Sequence, residues 1–361
     1  MFCFDKNMLN IAMTNINTNP IHFRGYKGNI QVVDNGVKKT CDNYTEFFRN
    51  YPTLDFTTNY IVQNFPQGTE ISEFGCSTGQ TMRSRLILLD EHNKDQKYKA
   101  TGYDFPPIIE KIKIGLYKLE KYNKNEQILF PTKTLYDFQK SVYDSHVPMI
   151  KQKFFEYFSE YNPSEKPKIK IALTHTTAQK LKEEKLLEEQ RLAEYKNLHK
   201  SNYELFVTPN EQKFNGIADF QVGNIRDIDQ IIQQGKSGVV CFQNALYHIM
   251  DSRTLDGYEH VKVDEAKDIF KKVNKVLPEN GLFVIGSLFF DHLYNCDEEE
   301  KTHLIYQDNK QIRVFDSSPV HKALREAGFE PAFFEKTEGM PIRKYNAIHL
   351  PSVWKKVSHL K

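Results

Sequence analysis

Net charge is almost absent from this chain: 49 Lys and Arg stand against 47 Asp and Glu, leaving a formal +2 over 361 residues. A diffuse basic field of the kind that holds nucleic acid is therefore not expected. Long apolar runs are missing too. No stretch approaches the roughly 18 residues that span a bilayer, so no membrane insertion is expected. Cysteine is sparse. Cys3, Cys41, Cys76, Cys241 and Cys296 are odd in number and widely spaced, and no CxxC pair occurs. A zinc site or a disulfide framework is thus not expected, and reduced thiols suit a cytosol. His248 and His260 have no ligand set around them, so no metal is predicted. The first residues, Met1 to Asn15, contain an early Asp5 and scattered Asn without an apolar core, which is not the pattern of a secretory signal. The expectation is a soluble, cytoplasmic protein.

What is present suits a large core. The hydrophobic fraction is 39% and the charged fraction 27%, an ordinary globular balance. The length suits one large domain with an added segment, or two domains. Residues 1–43 read as an N-terminal extension, with a turn at Phe23–Gly28 and a short strand from Asn29 to Val33. Tyr44 to Phe65 reads as an interrupted helix. Thr69 to Phe74 is a buried strand, and it runs into Gly75-Cys76-Ser77-Thr78-Gly79. A helix follows from Thr81 to His92. A second strand spans Tyr98 to Tyr103 and ends at Asp104. Pro106 and Pro107 open a helix over 108–119, since proline suits the first helical turn.

The segment from about 140 to 215 interrupts this order as a charged helical insertion. In 177–200, Leu181, Leu187, Leu192, Tyr195 and Leu198 share one helical face. The plain reading is a solvated helix packed by one stripe; a partner-binding helix is the sharper one. Alternation then resumes with a strand at Gly238–Phe242, a helix at Asp264–Val276, a strand at Leu282–Gly286, a helix at Pro319–Ala327, and strands at 329–334 and 345–350. Strand–helix alternation of this kind predicts an α/β fold with a doubly wound, mainly parallel sheet.

In such a sheet, ligands bind beyond the carboxyl ends of the strands at the point where strand order reverses. Gly75 and Gly79 let the backbone turn tightly and approach a ligand. Glu73 before the loop does not suit a phosphate; it suits an ammonium group or a ribose. Gly-Lys-Ser/Thr is absent, which removes a phosphate-binding loop. Asp104, followed by Phe105, ends the second strand, where a carboxylate can accept two hydrogen bonds from ribose hydroxyls. Its alternative role is to cap the helix after Pro106. A nicotinamide enzyme is disfavoured because the third glycine of GxGxxG is missing. Asn224 and Ile225 end a further short strand, where Asn224 could read an adenine edge or cap a helix. Gln243 and Asn244 place polar amides at the end of a central strand facing the same crevice.

These residues resemble the chemotaxis receptor methyltransferases, within the class I S-adenosylmethionine-dependent methyltransferases. The resemblance covers about 44–120 and 205–287. Thr45-Glu46-Phe47-Phe48-Arg49 is similar to the family's T-x-F-F-R. Gly75-Cys76-Ser77-Thr78-Gly79 matches G-C-S-T-G. Gly115-Leu116-Tyr117-Lys118-Leu119 resembles G-[IV]-Y-x-L, and Cys241-Phe242-Gln243-Asn244-Ala245-Leu246-Tyr247 resembles C-R-N-V-L-I-Y. There are departures. The family's G-E-E becomes Gly79-Gln80-Thr81, and the arginine after Cys241 becomes Phe242.

The resemblance implies a seven-stranded, Rossmann-like methyltransferase domain over 44–361. It also implies S-adenosylmethionine as cofactor, bound by Glu73, Gly75, Cys76, Ser77, Thr78, Gly79, Asp104, Phe105, Asn224, Ile225, Gln243 and Asn244. Methyl transfer from a sulfonium is an in-line displacement that depends mostly on positioning. A carboxylate acceptor, as the resemblance implies, is already ionised near neutral pH and needs no base. Arg49 would orient it and Tyr247 would add a hydroxyl; a surface salt bridge for Arg49 and a packed core position for Tyr247 are the alternatives. The acceptor is a protein carboxylate or a small molecule. A sensor that binds S-adenosyl ligands without catalysis is the remaining reading.

Overall fold

A computed structural model describes residues 29–34, 36–42, 47–65, 67–93, 98–123, 126–127, 152–164, 175–198, 204–243, 245–246, 249, 263–286, 302–336 and 348–357. The chain opens with an antiparallel hairpin, β1 (Asn29–Asp34) and β2 (Val37–Asp42). Helix α1 (Tyr51–Asn64) follows, with Pro52 in its first turn. Next come β3 (Glu70–Phe74), α2 (Gln80–His92), β4 (Lys99–Asp104) and α3 (Pro106–Ile114). An inserted unit then holds β5 (Tyr117–Asn123), β6 (Glu126–Gln127), a helical turn at 152–157, β7 (Phe158–Glu160), α4 (His175–Leu198) and β8 (Glu204–Pro209). The chain returns through α5 (Glu211–Phe214) to β9 (Ala218–Val222), α6 (Ile228–Ile231) and β10 (Ser237–Cys241). It ends with α7 (Val263–Val276), β11 (Leu282–Val284), β12 (Thr302–Gln307), β13 (Lys310–Phe315), α8 (Pro319–Glu326), β14 (Phe329–Lys336) and β15 (His349–Lys356).

The main sheet has the order β12-β13-β15-β11-β10-β3-β4-β9, with β14 on the other side of β15. Strands β9, β4, β3, β10 and β11 are parallel, and β15 runs antiparallel to β11 and β14. From β3 the chain moves outward to β4 and β9, then returns to β10 on the other side of β3. That reversal creates a crevice beyond the carboxyl ends of β3 and β10. The predicted α/β, doubly wound, mainly parallel sheet is what the strand pairing displays.

Both faces are covered because the strands alternate. Ile71, Val239, Cys241, Leu282 and Val284 pack with α1 and α2 in one core cluster, while Phe74, Val240, Phe283 and Trp354 pack with α6, α7 and α8 in another. Helix α7 shows the cause most clearly, burying Ala266, Ile269, Phe270, Val273 and Val276 along one stripe. Helix α2 differs: every residue from Gln80 to Leu89 is buried, because α1 and the insertion cover the sides that the sheet does not.

Several expectations are corrected. The sheet has nine strands, not seven, because the β12–β13 hairpin extends it beside β15. Its turn, Asp308-Asn309, has φ of 51° and 60°, as a two-residue hairpin turn with left-handed residues requires. The helix expected over 108–119 stops at Ile114, where Gly115 adopts φ 61° and a left-handed cap. Tyr117 onward is then a strand of a small antiparallel sheet, β6-β5-β8-β7, so the insertion begins before residue 140. Within the interrupted helix expected from Tyr44, the described residues 47–50 form a turn with left-handed Phe48 (φ 55°) and Asn50 (φ 53°), and helix α1 begins at Tyr51. The last strand runs from His349 to Lys356 rather than ending at Leu350.

Helix α4 carries the charged stretch. Leu187, Leu192 and Tyr195 are half-buried, whereas Leu186 is exposed. Arg191 donates to the carbonyl of Ile114 at 2.9 Å. Glu194 pairs with Lys111 at 3.5 Å, and the Tyr195 ring meets Phe206 edge-on at 4.8 Å. It is a solvated helix packed by one stripe.

Candidate cofactor site

The glycine loop joins β3 to α2 at the crevice. Gly75, Ser77 and Gly79 all hold positive φ, at 64°, 51° and 77°. Such alternation turns successive N–H groups to one side of the chain. The N–H groups of Gly75 and Cys76 both donate to the carbonyl of Tyr103, at 2.8 and 3.3 Å, which ties the loop to the end of β4. Gly79 cannot be replaced freely, since a Cβ there would lie 2.5 Å from the Phe220 ring on β9. A left-handed serine costs roughly 1–2 kcal/mol. The Ser77 N–H offsets this by donating to Oδ2 of Asp104 at 2.8 Å, a charge-assisted bond of about 1.5–3 kcal/mol when the carboxylate is ionised.

Asp104 is the junction of the site. Its Oδ1 accepts from the Phe105 N–H at 2.8 Å, so each carboxylate oxygen keeps lone pairs for a ligand. It does not cap α3, whose N-cap is Phe105 and lacks a side-chain bond. Burial raises its pKa from 3.8 to about 7, against the lowering effect of the two N–H donors. Phe105 packs with Cys76, Ile108 and Ile109. The Cys76 thiol is held well above its usual range, by burial first and then by the charges of Asp104 and Glu73, so it stays protonated.

Glu73 faces α2 rather than standing open. Its Oε2 accepts from Arg85 Nη1 at 3.1 Å, and both side chains are buried. Burial raises the Glu73 pKa while Arg85 opposes it. Arg85 was not anticipated as part of the site. The signal was an arginine just before the apolar Leu86-Ile87-Leu88-Leu89 run of the helix, beneath a strand with a glutamate next to its last residue.

Asn224 fills its plainer role. Its Oδ1 accepts from the Arg226 N–H at 3.1 Å and caps the turn at Ile225–Asp227, and Ile225 packs into the core. Thr78 hydrogen-bonds Gln80 through its hydroxyl, at 3.1 Å, and its carbonyl accepts from the Tyr117 hydroxyl at 3.0 Å. Gln243, at the end of β10, has both amide atoms buried without a partner. It follows Phe242, whose ring lies near Gly75. Asn244 and Tyr247 lie outside the described residues, as do Thr45 and Glu46.

Arg49 precedes α1 on the turn that carries Phe47 and Phe48. The Phe48 N–H donates to Ser84 Oγ on α2 at 2.8 Å, and Ser84 Oγ donates to the Gln80 carbonyl at 2.8 Å, so this turn is fastened beside the glycine loop. Arg49 acts electrostatically on Glu335, at the carboxyl end of β14. Glu335 is buried and accepts from Thr53 Oγ1 at 3.1 Å, and Thr53 shares a 2.9 Å hydrogen bond with Ser352. Burial raises the Glu335 pKa from 4.5 to about 7, against the bond from Thr53 and the charge of Arg49. Sequence reasoning missed this cluster, because its members lie on α1, β14 and β15 and no local pattern joins them.

Among the described residues no group of three His, Cys, Asp or Glu side chains could hold a metal ion. No described helix is long and apolar enough to cross a membrane.

No family model matches the chain, and no curated protein matches it. Solved structures do. A S-adenosylmethionine-dependent methyltransferase from Methanosarcina mazei is 14% identical, with 83% of this chain and 98% of that one covered at a TM-score of 0.34. A 1,6-didemethyltoxoflavin-N1-methyltransferase from Burkholderia thailandensis, with bound S-adenosylhomocysteine, is 10% identical, with 86% and 81% covered at 0.34. An O-methyltransferase family protein from the same organism is 11% identical, with 86% and 57% covered at 0.32. The fold assignment above stands on this chain's own strand pairing.

Proposed function

We propose that the protein binds S-adenosylmethionine in the crevice beyond β3, β4 and β10 and transfers its methyl group. The observation that carries this reading is the junction of Asp104 with the glycine loop. A carboxylate at the end of the second parallel strand is locked to the turn that ends the first, at the topological switch point. Two features fit a nucleoside cofactor there. Gly75 is exposed at positive φ and lets a ligand approach the backbone. The Gln243 amide is buried with donor and acceptor unmet, a state that a polar ligand would relieve.

When bound, S-adenosylmethionine supplies an electrophilic methyl group on a sulfonium. The chain's own residues do the rest by placement. Asp104 accepts from ribose hydroxyls, Gly75 and its neighbours follow the amino-acid portion, and Gln243 offers its amide. Glu73, held by Arg85, contributes negative potential beneath the loop. The acceptor we assign is a carboxylate, on a protein glutamate or on a small molecule. It needs no base near pH 7, and Arg49 orients it with a planar fork.

Calorimetric titration with S-adenosylhomocysteine tests the cofactor. Micromolar one-to-one binding is expected, and its absence in folded protein removes the reading. Incubation with labelled S-adenosylmethionine and mass analysis of the products then separates protein from small-molecule acceptors. A second reading, a non-catalytic sensor, is favoured by one observation: Gln80 and Thr81, where the resembled family has two glutamates, are buried neutral residues. Tight binding with no methylated product from any acceptor would support it.

A further inference from the structure

Arg83 is an unexplained charge. It lies on the first turn of α2, four residues after Gly79, and is 4% exposed. Its guanidinium centre sits 4.8 Å from the Phe214 ring, 5.2 Å from Phe220 and 5.5 Å from Tyr117. The rings offer a favourable face to a cation. None of them accepts a hydrogen bond from the guanidinium: both Nε and Nη1 are buried without a partner. No acidic side chain pairs with Arg83 among the described residues. Arg85, two residues on, has Glu73. A buried guanidinium left without an anion is costly, and a group in that state calls for a ligand or a role.

The surroundings point to a negative ligand. Helix α2 is N-capped by Gly79, which brings no side-chain cap, and its first turn contains no acid. Its N-terminal dipole therefore adds to the charge of Arg83. A small, partly open groove lies beside this turn, between the glycine loop and the insertion. Thr78, Gln80, Lys111, Tyr117, Lys118 and Glu194 line it. Among the described residues lining it, the one carboxylate, Glu194, is matched by Lys111 at 3.5 Å. Beyond the lining, Glu211 and Arg191 act on Tyr117 with opposite sign. Arg83 and the helix start add positive potential on this side. Tyr117 is common to the groove wall and to the rings around Arg83.

We propose that Arg83 and the start of α2 form a seat for an anionic oxygen group, carboxylate or phosphate, of a small molecule that enters along this groove past Tyr117. Two sources share that chemistry. One is the α-carboxylate of the cofactor named under the proposed function; the other is a separate anionic small molecule, such as a methyl acceptor. The planar guanidinium meets either with two parallel N–H donors.

The test is calorimetry on the full chain with inorganic phosphate as probe, at low ionic strength. Binding at millimolar or tighter is expected. Arg83→Met, which keeps the length and removes the charge, should weaken it at least tenfold. Should that variant fail to fold, Arg83→Lys serves, since it keeps the charge but loses the fork and should bind phosphate several-fold more weakly.

Two further arms separate the sources. S-adenosylhomocysteine binding at least tenfold tighter than 5′-methylthioadenosine, which lacks the carboxylate, with the difference lost in Arg83→Met, assigns the seat to the cofactor. Phosphate binding undiminished in protein saturated with S-adenosylhomocysteine assigns it to a separate ligand. Phosphate affinity indifferent to the charge at position 83 overturns the proposal. So does absence of phosphate binding together with equal affinity for the two nucleosides. If neither nucleoside binds but phosphate does so through Arg83, the cofactor reading fails and this one stands.

Discussion

Ser77 gives its backbone N–H to Oδ2 of Asp104 across the gap between two parallel strands. The bond makes one carboxylate answerable for two things, the shape of the glycine loop and, under the proposed function, the contact with the ribose.

Asp104→Ala is therefore expected to weaken S-adenosylhomocysteine binding by roughly 10- to 100-fold, about 1.4–2.7 kcal/mol. Asp104→Asn should fall between, since an amide can accept one of the two backbone N–H groups but turns its own donors toward the other. Titration calorimetry reads both. Unchanged affinity in the alanine variant takes Asp104 out of the site.

Gly79→Ala places a methyl group 2.5 Å from Phe220 at a φ of 77°. Overpacking and left-handed strain together should destabilise the fold by about 1–3 kcal/mol. Chemical denaturation measures the loss. Phe220→Leu in the same chain should recover part of it by making room, and the absence of any recovery would show that backbone strain alone is responsible.

The Glu73–Arg85 pair is buried, and Arg85 Nε and Nη2 find no further partner. Arg85→Met alone strands a buried carboxylate and should cost about 3–5 kcal/mol. The double variant Glu73→Gln with Arg85→Met should cost less than that single change, because no charge remains unpaired. A double-mutant cycle by urea denaturation checks the order; a double variant worse than Arg85→Met would mean that Glu73 has another partner of comparable weight.

Glu335 and Asp104 both have folded pKa values raised to about 7, from 4.5 and 3.8. Between those limits the folded chain holds more protons than the unfolded one. The slope of unfolding free energy against pH is then negative, so these groups make stability fall as pH rises from about 4.5 to 7. Glu335→Gln should flatten that slope and raise the relative stability at pH 7.5. Thermal or urea unfolding across the window tests this, and a slope identical to that of the parent chain would be the contrary result.

Much of the fold was legible because its signals are local. The glycine loop, the strand before it and Asp104 at the end of β4 lie close in sequence, and the apolar stripe of α7 repeats with the helical period. Helix ends were harder. Gly115 marked the stop of α3, yet the apolar Leu116, Tyr117 and Leu119 beyond it suited a helix as well as a strand, and only tertiary pairing of Tyr117 with Val207 decides between them. The β12–β13 hairpin escaped because Leu304 and Tyr306 are exposed, so the strand lacks one buried face. Asp308-Asn309 was the readable clue.

The site was legible in its backbone and not in its charges. Asp104 and Gly75 could be placed by order along the chain. The partners of Glu73, Arg49 and Glu335 come from other elements, and a single sequence offers no register between α1 and β14.

The pairing of β4 with β9 sets Ala100 beside Ala218, with the whole insertion strung between them. Closing so long a loop adds little to the final free energy, about 0.6 kcal/mol for each doubling of its length. Its effect falls on time instead. Neither β4 with β9 nor β3 with β10 can pair until that connection has been gathered in, whereas β3 with β4 and β10 with β11 are joined by much shorter stretches and are expected to assemble first. The crevice, which lies where those two units meet and is walled by Phe220 over Gly79, is thus expected to take shape only when they join.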